Sequence, residues 1–494
     1  MVEWSSVNRG RENLALVPVI HIIGWFVTAL GVLMVVPALV DSLYGNPDWK
    51  VFSVSAGVTV FSGLSLLLTT GGARLKLSIR QGFMLTTGIW VCAAVAGSLP
   101  LMFSGLGLNF TDAFFETMSG LTTTGSTVLS GLDTAPPGIL LWRGLLQWIG
   151  GIGFIAVGLA MLPFLQIGGM QLFRLESSER SDKAVPQAGR FAATLLLVYI
   201  GLSIVCMIAL RFAGMTWLEA SVHAMTTLST GGYSTSDSSV GYFRSGTVEV
   251  IITLFMFLGS LPFLLYIRTL QGRGQALVRD EQVRSYIRFV ATVILGLAIW
   301  LWLFTDLAII DALRLSAFNV VSIATTTGYA STDYSLWGNL PVVLFFLLTF
   351  VGGCTGSTSG GLKAFRFDIL GLALKVYLQR LVYPHGAFAV IYNGRTVGGD
   401  VFAGVLLFMG LYVITVAVTS VLLAMTGLDL VTAVSGAATA VGNVGPGLGT
   451  IIGPAGNFSS LPDTAKWLLS AAMLLGRLEF FTVLALFSPR FWRH

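Results

Sequence analysis

Residues 109–125 read NFTDAFFETMSGLTTTG, and the interpretation of the whole chain starts here. Asn109 is a residue type that caps helix starts. The segment 110–121 behind it has roughly 12 residues and ends at three threonines and a glycine. A helix crossing a bilayer needs about 20 residues. This one enters and turns back, or lies at the surface. Apolar stretches near 83–104 and 141–165 flank it, and both are long enough to span. Irregular backbone at membrane depth is tolerated only where it is buried in protein or lines a cavity.

The arrangement recurs three times. Spans near 191–212 and 247–268 flank 217–228, spans near 288–305 and 340–378 flank 312–324, and spans near 401–425 and 466–487 flank 430–441. Aligned on Gly125, Gly232, Gly328 and Gly445, the units are 107, 96 and 117 residues apart. The aligned loops are Thr122-Thr123-Thr124-Gly125, Ser229-Thr230-Gly231-Gly232, Thr325-Thr326-Thr327-Gly328 and Gly442-Asn443-Val444-Gly445. Six residues before each glycine stands a hydroxyl: Ser119, Thr226, Ser322 and Thr439. Sixteen before it stand the capping types Asn109, Thr216 and Asp429, while Asp311 misses that register by one in the third unit. Apolar segments 15–40 and 51–71 precede the units. The expected fold is an all-α polytopic membrane protein. A two-helix transmembrane hairpin occupies 1–75, and span–pore-loop–span units around one pore occupy 76–175, 176–275, 276–385 and 386–494.

Composition agrees. The 494 residues are 55% hydrophobic and 10% charged, with a mean hydropathy of +0.83, whereas a soluble domain carries about 25% charged residues. The apolar stretch 14–40 has no small-residue cleavage site and is too long for a signal peptide, so it reads as a span. Cys92, Cys206 and Cys354 lie far apart, as do His21, His223, His385 and His494, which argues against a disulfide framework or a zinc site. The net charge of +5 does not signal nucleic acid, because the basic residues alternate in location. They cluster at 9–11, 74–80, 174–190, 268–288, 363–395 and 490–493, and the opposite loops hold only Lys50, Arg143, Arg211, Arg244, Arg314 and Lys466. The positive-inside rule puts the rich side, and the N-terminus, in the cytoplasm.

The pattern suits a dehydrated cation. A bare monovalent ion needs oxygen ligands in place of water, and rings of backbone carbonyls supply them in potassium channels. Four equivalent loops around an axis give four oxygens per layer. Glycine at the shared position opens dihedrals closed to other residues. Hydroxyls at Thr122, Ser229 and Thr325 offer a further layer that Gly442 leaves incomplete. Each short helix points its negative C-terminal dipole at the ion.

These loops and their block order resemble the Trk/Ktr/HKT superfamily of potassium transporters over roughly residues 80–490. The extra hairpin is similar to the TrkH/TrkG branch. The resemblance implies that the four loops form a selectivity filter for potassium, which is substrate, and that no organic cofactor sits in this chain. Sodium-preferring relatives carry serine at the first glycine, and Gly125 stands there in this sequence. The fourth loop, with Asn443-Val444, departs from the Thr/Ser pattern. The resemblance further implies a homodimer in the bacterial cytoplasmic membrane, bound to a TrkA-like cytoplasmic nucleotide-binding subunit. Basic cytoplasmic loops give that partner, or anionic lipid, a surface to touch.

Two further features fall in second spans. Gly352-Gly353-Cys354-Thr355-Gly356-Ser357-Thr358-Ser359-Gly360-Gly361 interrupts the third unit near mid-membrane. By resemblance it is the intramembrane gating loop, with Gly352, Gly353, Gly356, Gly360 and Gly361 giving it freedom to move. It is not a nucleotide P-loop, because Gly356–Lys363 lacks the Gly-Lys-Ser/Thr ending. Arg477 lies inside an apolar span, where charge is costly and usually functional. The resemblance places it in the pore beneath the filter, as a barrier to cations or a partner of the gating loop. Pairing with Glu479 is not expected two residues along a helix. The glycine breaks at Gly150-Gly151-Gly153 and Gly259-Ser260-Pro262 read as packing features. A membrane enzyme would need a cluster of His, Asp or Glu at the membrane face. An inverted-repeat carrier would alternate its units in orientation. Neither pattern is present. Sodium translocation or sodium-coupled potassium symport remains the alternative reading of the same pore.

Overall fold

Side-chain caps start three of the four short helices. Asn109 accepts from Asp112 N–H at the start of Phe110–Leu121, Thr216 forms a capping box with Glu219 before Trp217–Leu228, and Asp429 accepts from Thr432 N–H before Leu430–Gly442. The third helix, Ile309–Ala324, starts earlier, after Ala308, without a side-chain cap. Asp311 is therefore in its first turn, paired with Arg314 at 3.2 Å, rather than at its cap. We describe residues 16–71, 77–161, 184–272 and 274–492 of a computed structural model.

The N-terminal hairpin is Val17–Leu43, bent slightly at Met34, against Trp49–Thr69. First spans follow at Ile79–Phe103, Ala184–Phe212, Glu281–Phe304 and Gly399–Met425. Among the described residues, seven helices are long and apolar enough to cross a membrane, or up to nine if each of two bent pairs is one span. The first spans of units three and four present exposed leucine, valine and isoleucine, with only 22% and 28% of their apolar windows buried. The second span of unit one, Pro137–Met161, is 72% buried over its corresponding window. The first spans of units three and four thus lie at the outside of the molecule and the second span of unit one in its interior.

The second spans of units two and four bend sharply, and that of unit three is interrupted where the sequence predicts a break. In unit two, Gly246–Gly259 and Phe263–Leu270 meet at 91°. Pro262 has no N–H to continue the helix, and the Phe263 N–H is satisfied elsewhere, by Gly356 O at 3.0 Å. In unit four, Asp463–Arg477 and Phe481–Phe487 meet at 108°, through Glu479 and Phe480 at φ 55° and 51°. In unit three, Asn339–Leu348 and Ala364–Val382 are separated by the irregular segment that carries Gly352–Gly361.

A two-stranded hairpin, Ile391–Tyr392 with Arg395–Thr396, joins units three and four, and Asn393 and Gly394 turn at positive φ. Asn393 fastens it to the start of the third first span through Glu281 and Asp280. The expected boundaries at 275/276 and 385/386 fall in connecting segments. Those at 75/76 and 175/176 lie outside the described residues.

Candidate functional site: a ring of four loops against a glycine-rich segment

The chain leaves all four short helices in the same way. Two residues before each aligned glycine, Thr123, Thr230, Thr326 and Asn443 adopt left-handed backbone at φ 52°, 52°, 57° and 53°. The next N–H in each loop reaches back to the residue six before the glycine: Thr124 to Ser119 O (2.8 Å), Gly231 to Thr226 O (2.9 Å), Thr327 to Ser322 O (2.8 Å) and Val444 to Thr439 O (3.0 Å). This is a Schellman ending, with threonine or asparagine where glycine is usual. A non-glycine residue held left-handed costs about 1–3 kcal/mol and persists only when its surroundings determine it. The aligned glycines follow at φ 89°, 75°, 83° and 115°.

The four loops close on one another. A Cβ placed on Gly125 would strike Gly231 O, one on Gly232 would strike Thr327 O, one on Gly328 would strike Val444 O, and one on Gly445 would come within 2.8 Å of Thr124 O. Each glycine therefore faces the carbonyl that precedes the glycine of the next unit, in the cyclic order one, two, three, four, one. All sixteen loop residues from the sequence reading lie in this ring: Thr122–Gly125, Ser229–Gly232, Thr325–Gly328 and Gly442–Gly445. The hydroxyls of Thr122, Ser229 and Thr325 each donate back to a carbonyl of their own helix (Met118, Thr226 and Val321). Thr122 and Thr325 also meet Thr124 and Thr327 at 2.8 and 2.7 Å. Asn443 ties loop four to loop one through Thr124 Oγ1 at 3.0 Å. On one side the four glycines open into a cavity of about 400 Å³.

Charges pin the loops from behind. Arg143 donates to Glu116 at 2.8 Å and to Ser234 O at 2.9 Å, and lies 4.1 Å from the centre of the Tyr233 ring. Both members of this ion pair are buried. Glu116 also accepts from Val128 N–H and the Thr127 hydroxyl. Lys466 of unit four pairs with Asp112 of unit one at 2.5 Å, and Arg314 of unit three pairs with Glu249 of unit two at 2.6 Å. The sequence reading counted Arg143, Arg314 and Lys466 as sparse loop charges. They stand in helices and join neighbouring units.

Directly against the ring sits the glycine-rich segment of unit three. Its ends are tied by Gly352 N–H to Leu362 O at 2.8 Å and Leu362 N–H to Phe350 O at 3.2 Å. Cys354 N–H donates to Ser260 O at 2.9 Å, and the Thr358 hydroxyl lies 2.9 Å from both Leu228 O and Gly259 O. Gly360 N–H donates to Thr326 Oγ1 at 2.7 Å. A Cβ on Gly360 would meet Gly442 O. The segment touches loops or second spans of units two, three and four, and Gly352, Gly353 and Gly360 are buried while Gly356 and Gly361 are partly so.

Arg477 reaches the same place. Its guanidinium donates to Thr358 O at 2.9 Å and to Gly150 O at 3.4 Å, and stacks 4.0 Å from the Phe154 ring centre. Lys363 approaches the same ring at 5.0 Å and donates to Ser359 O. Arg366 pairs with Glu479 at 3.3 Å and lies 3.6 Å from the Phe408 ring centre. Glu479 thus pairs across units, because the chain turns between it and Arg477. The signals for Lys363 and Arg366 were present as charges adjoining an apolar run. The break at Gly259–Pro262, which the sequence suggests is a packing feature, contacts the glycine-rich segment directly. Gly150 and Gly476 also lie against short helices: a Cβ on either would strike Leu121 O or Val441 O, the carbonyl four before the ring glycine. They let second spans press onto the ends of the short helices.

The TrkH family model, described as cation transport protein, matches residues 50–494. The chain belongs to the TrkH family. It is 46% identical to the Trk system potassium uptake protein TrkI of Halomonas elongata, over 96% of this chain and 97% of that protein. It is 37% identical to the Trk system potassium uptake protein TrkH of Escherichia coli K12, over 96% and 98%. The crystal structure of the potassium transporter TrkH from Vibrio parahaemolyticus superimposes with a TM-score of 0.90 at 34% identity, covering 97% of this chain and all of that one. This TrkH-family chain is accordingly a multi-pass membrane protein of a transporter family.

Proposed function

We propose that this chain moves potassium inward across the bacterial cytoplasmic membrane, with the four-loop ring as its selectivity filter and Gly352–Gly361 as its gate. The observation that carries the reading is the cyclic closure of the ring, in which the carbonyls of Thr124, Gly231, Thr327 and Val444 each face the preceding unit's glycine. Such an array replaces the water of a bare cation, and the names of the relatives point to potassium. The remaining loop residues hold these carbonyls in place. Glycine at Gly125 favours potassium over sodium. The plug closes the path, and Arg477 holds it while adding positive charge where a cation would pass.

The wider assignment follows the same reading. The units run 76–175, 176–275, 276–385 and 386–494, after a hairpin in 1–75, and the N-terminus is cytoplasmic. The chain pairs as a homodimer, contacts membrane lipid, and takes a TrkA-like nucleotide-binding regulatory subunit on its basic cytoplasmic face. Flux into proteoliposomes, compared for potassium, rubidium and sodium, tests this. The expected result is a preference for potassium and rubidium that Gly125→Ser lowers. Equal flux of sodium in the native protein, or unchanged selectivity in Gly125→Ser, would remove the filter assignment.

A further inference from the structure

One of the four ring carbonyls is unlike the others. Gly231 O accepts a hydrogen bond of 2.6 Å from Gln147 Nε2. No donor among the described residues reaches Thr124 O, Thr327 O or Val444 O. Gln147 is fully buried on the second span of unit one, between units one and two. Its other amide atom, Oε1, accepts from Tyr233 N–H at 3.0 Å. The two bonds straddle Gly232. Only this orientation of the amide satisfies both partners.

Gln147 also accounts for a departure in the loop sequence. The position before the aligned glycine is Thr124, Thr327 or Val444 in three units and Gly231 in the second. A Cβ on Gly231 would run into the amide carbon and both amide heteroatoms of Gln147. The amide occupies the space that a side chain takes in the other loops. Second spans align on the glycines that press against short-helix carbonyls, Gly150, Gly259 and Gly476. Three residues before them stand Gln147, Met256 and Met473, so of these three units unit one alone offers an amide there.

We infer that Gln147 is a positioning residue that sets the ion preference of the ring through the Gly231 carbonyl. This rests on the ring being the cation filter. The N–H dipole occupies one lone pair of that oxygen, which weakens its pull on a cation. It also fixes the oxygen in position, so the ring cannot contract around a smaller ion. Discrimination among cations depends on the number, field and mobility of such oxygens. Removing the donor strengthens and frees one ligand of four, which favours sodium.

The experiment measures half-saturation and maximal rate for potassium, rubidium and sodium in proteoliposomes. Gln147→Leu removes both bonds. Gln147→Glu, nearly isosteric, keeps the acceptor for Tyr233 N–H and loses the donor. Both should lower the potassium-to-sodium preference in half-saturation at least fivefold, with a smaller change in maximal rate. Gly231→Thr alone should be impaired, and Gln147→Ala in the same chain should restore the transport rate, because the threonine then fits as Thr124 and Thr327 do, while the potassium preference stays as low as in Gln147→Leu for want of the donor. If Gln147→Leu does not fold, Gln147→Glu and the double variant give the result. If Gly125→Ser shifts the preference while the Gln147 variants leave it unchanged, the filter stands and Gln147 has no such role. If none of them shifts it, the filter assignment falls and this inference with it.

Discussion

The ring and the region beneath it follow opposite rules. In the ring, four units of different sequence share one backbone path: left-handed two residues before the glycine, positive φ at the glycine, and the same return bond to the short helix. Beneath it the second spans take different paths. The second span of unit one is continuous, those of units two and four bend by 91° and 108°, and that of unit three opens into the plug. On the proposed reading, coordinating a spherical ion needs equivalent oxygens, which accounts for a backbone symmetry kept even where side chains drift. On the same reading, opening and closing a path needs one element that moves and others that hold it, which fits the glycine-rich segment of unit three and Arg477 of unit four.

The largest expected effect comes from breaking the ring's equivalence. Gly232→Ala and Gly328→Ala each drive a Cβ into a carbonyl of the next unit, from backbone that L-residues rarely adopt. Potassium uptake should fall at least tenfold in each. Gly445→Ala, with 2.8 Å to Thr124 O, should be the mildest of the four. Rubidium influx in cells lacking other potassium uptake would read this order, and an equal loss at Gly445 would contradict it.

Beneath the ring, the same comparison predicts gain rather than loss. Thr358→Val removes the hydroxyl that lies 2.9 Å from both Leu228 O and Gly259 O. Losing that bond and leaving the Leu228 carbonyl unmet costs roughly 1–3 kcal/mol, so the closed state should weaken by about fivefold or more and basal flux should rise. Arg477→Met should raise basal flux as well, since it removes both the charge and the bond to Thr358 O. Reduced flux in a folded Thr358→Val protein would mean that the plug segment supports the ring instead of closing the path.

Arg143 and Glu116 sharpen the comparison on the stability side. Removing one partner of a buried ion pair costs about 3–5 kcal/mol, so Arg143→Met should lower the melting temperature clearly. The loss should be partly relieved by Glu116→Gln in the same chain. An unchanged melting temperature in Arg143→Met would remove the pair as a brace. The smallest effect belongs to Asp429, whose exposed carboxylate caps the fourth short helix. Hydrogen bonds from Thr432 hold its carboxyl below the usual range. Asp429→Ala should cost about 1 kcal/mol at neutral pH and leave selectivity alone. Its contribution is present above the carboxylate's unfolded value and fades as pH falls through the folded one, so the difference from the native protein should shrink in acid.

Much of this architecture was legible because repetition is visible in a single chain. Three caps, four loops and the plug could be aligned without coordinates. The left-handed threonines were not legible, since nothing in Thr-Thr-Thr-Gly announces that the middle residue carries a conformation usually left to glycine. Gly259-Ser260-Pro262 was visible as a weak point, but only the fold shows that its carbonyls receive the plug. Arg143 looked like a loop charge because sequence gives position along the chain and not depth. Glu479 was set aside as a partner for Arg477 on helical geometry. The helix ends between them, and Glu479 instead meets Arg366 of another unit.

Locating rubidium by anomalous diffraction, in crystals of the protein grown with rubidium in place of potassium, tests the ring most directly. The account predicts density on the axis, surrounded by the carbonyls of Thr124, Gly231, Thr327 and Val444. Rubidium held elsewhere, with the space among those four oxygens empty, would contradict it.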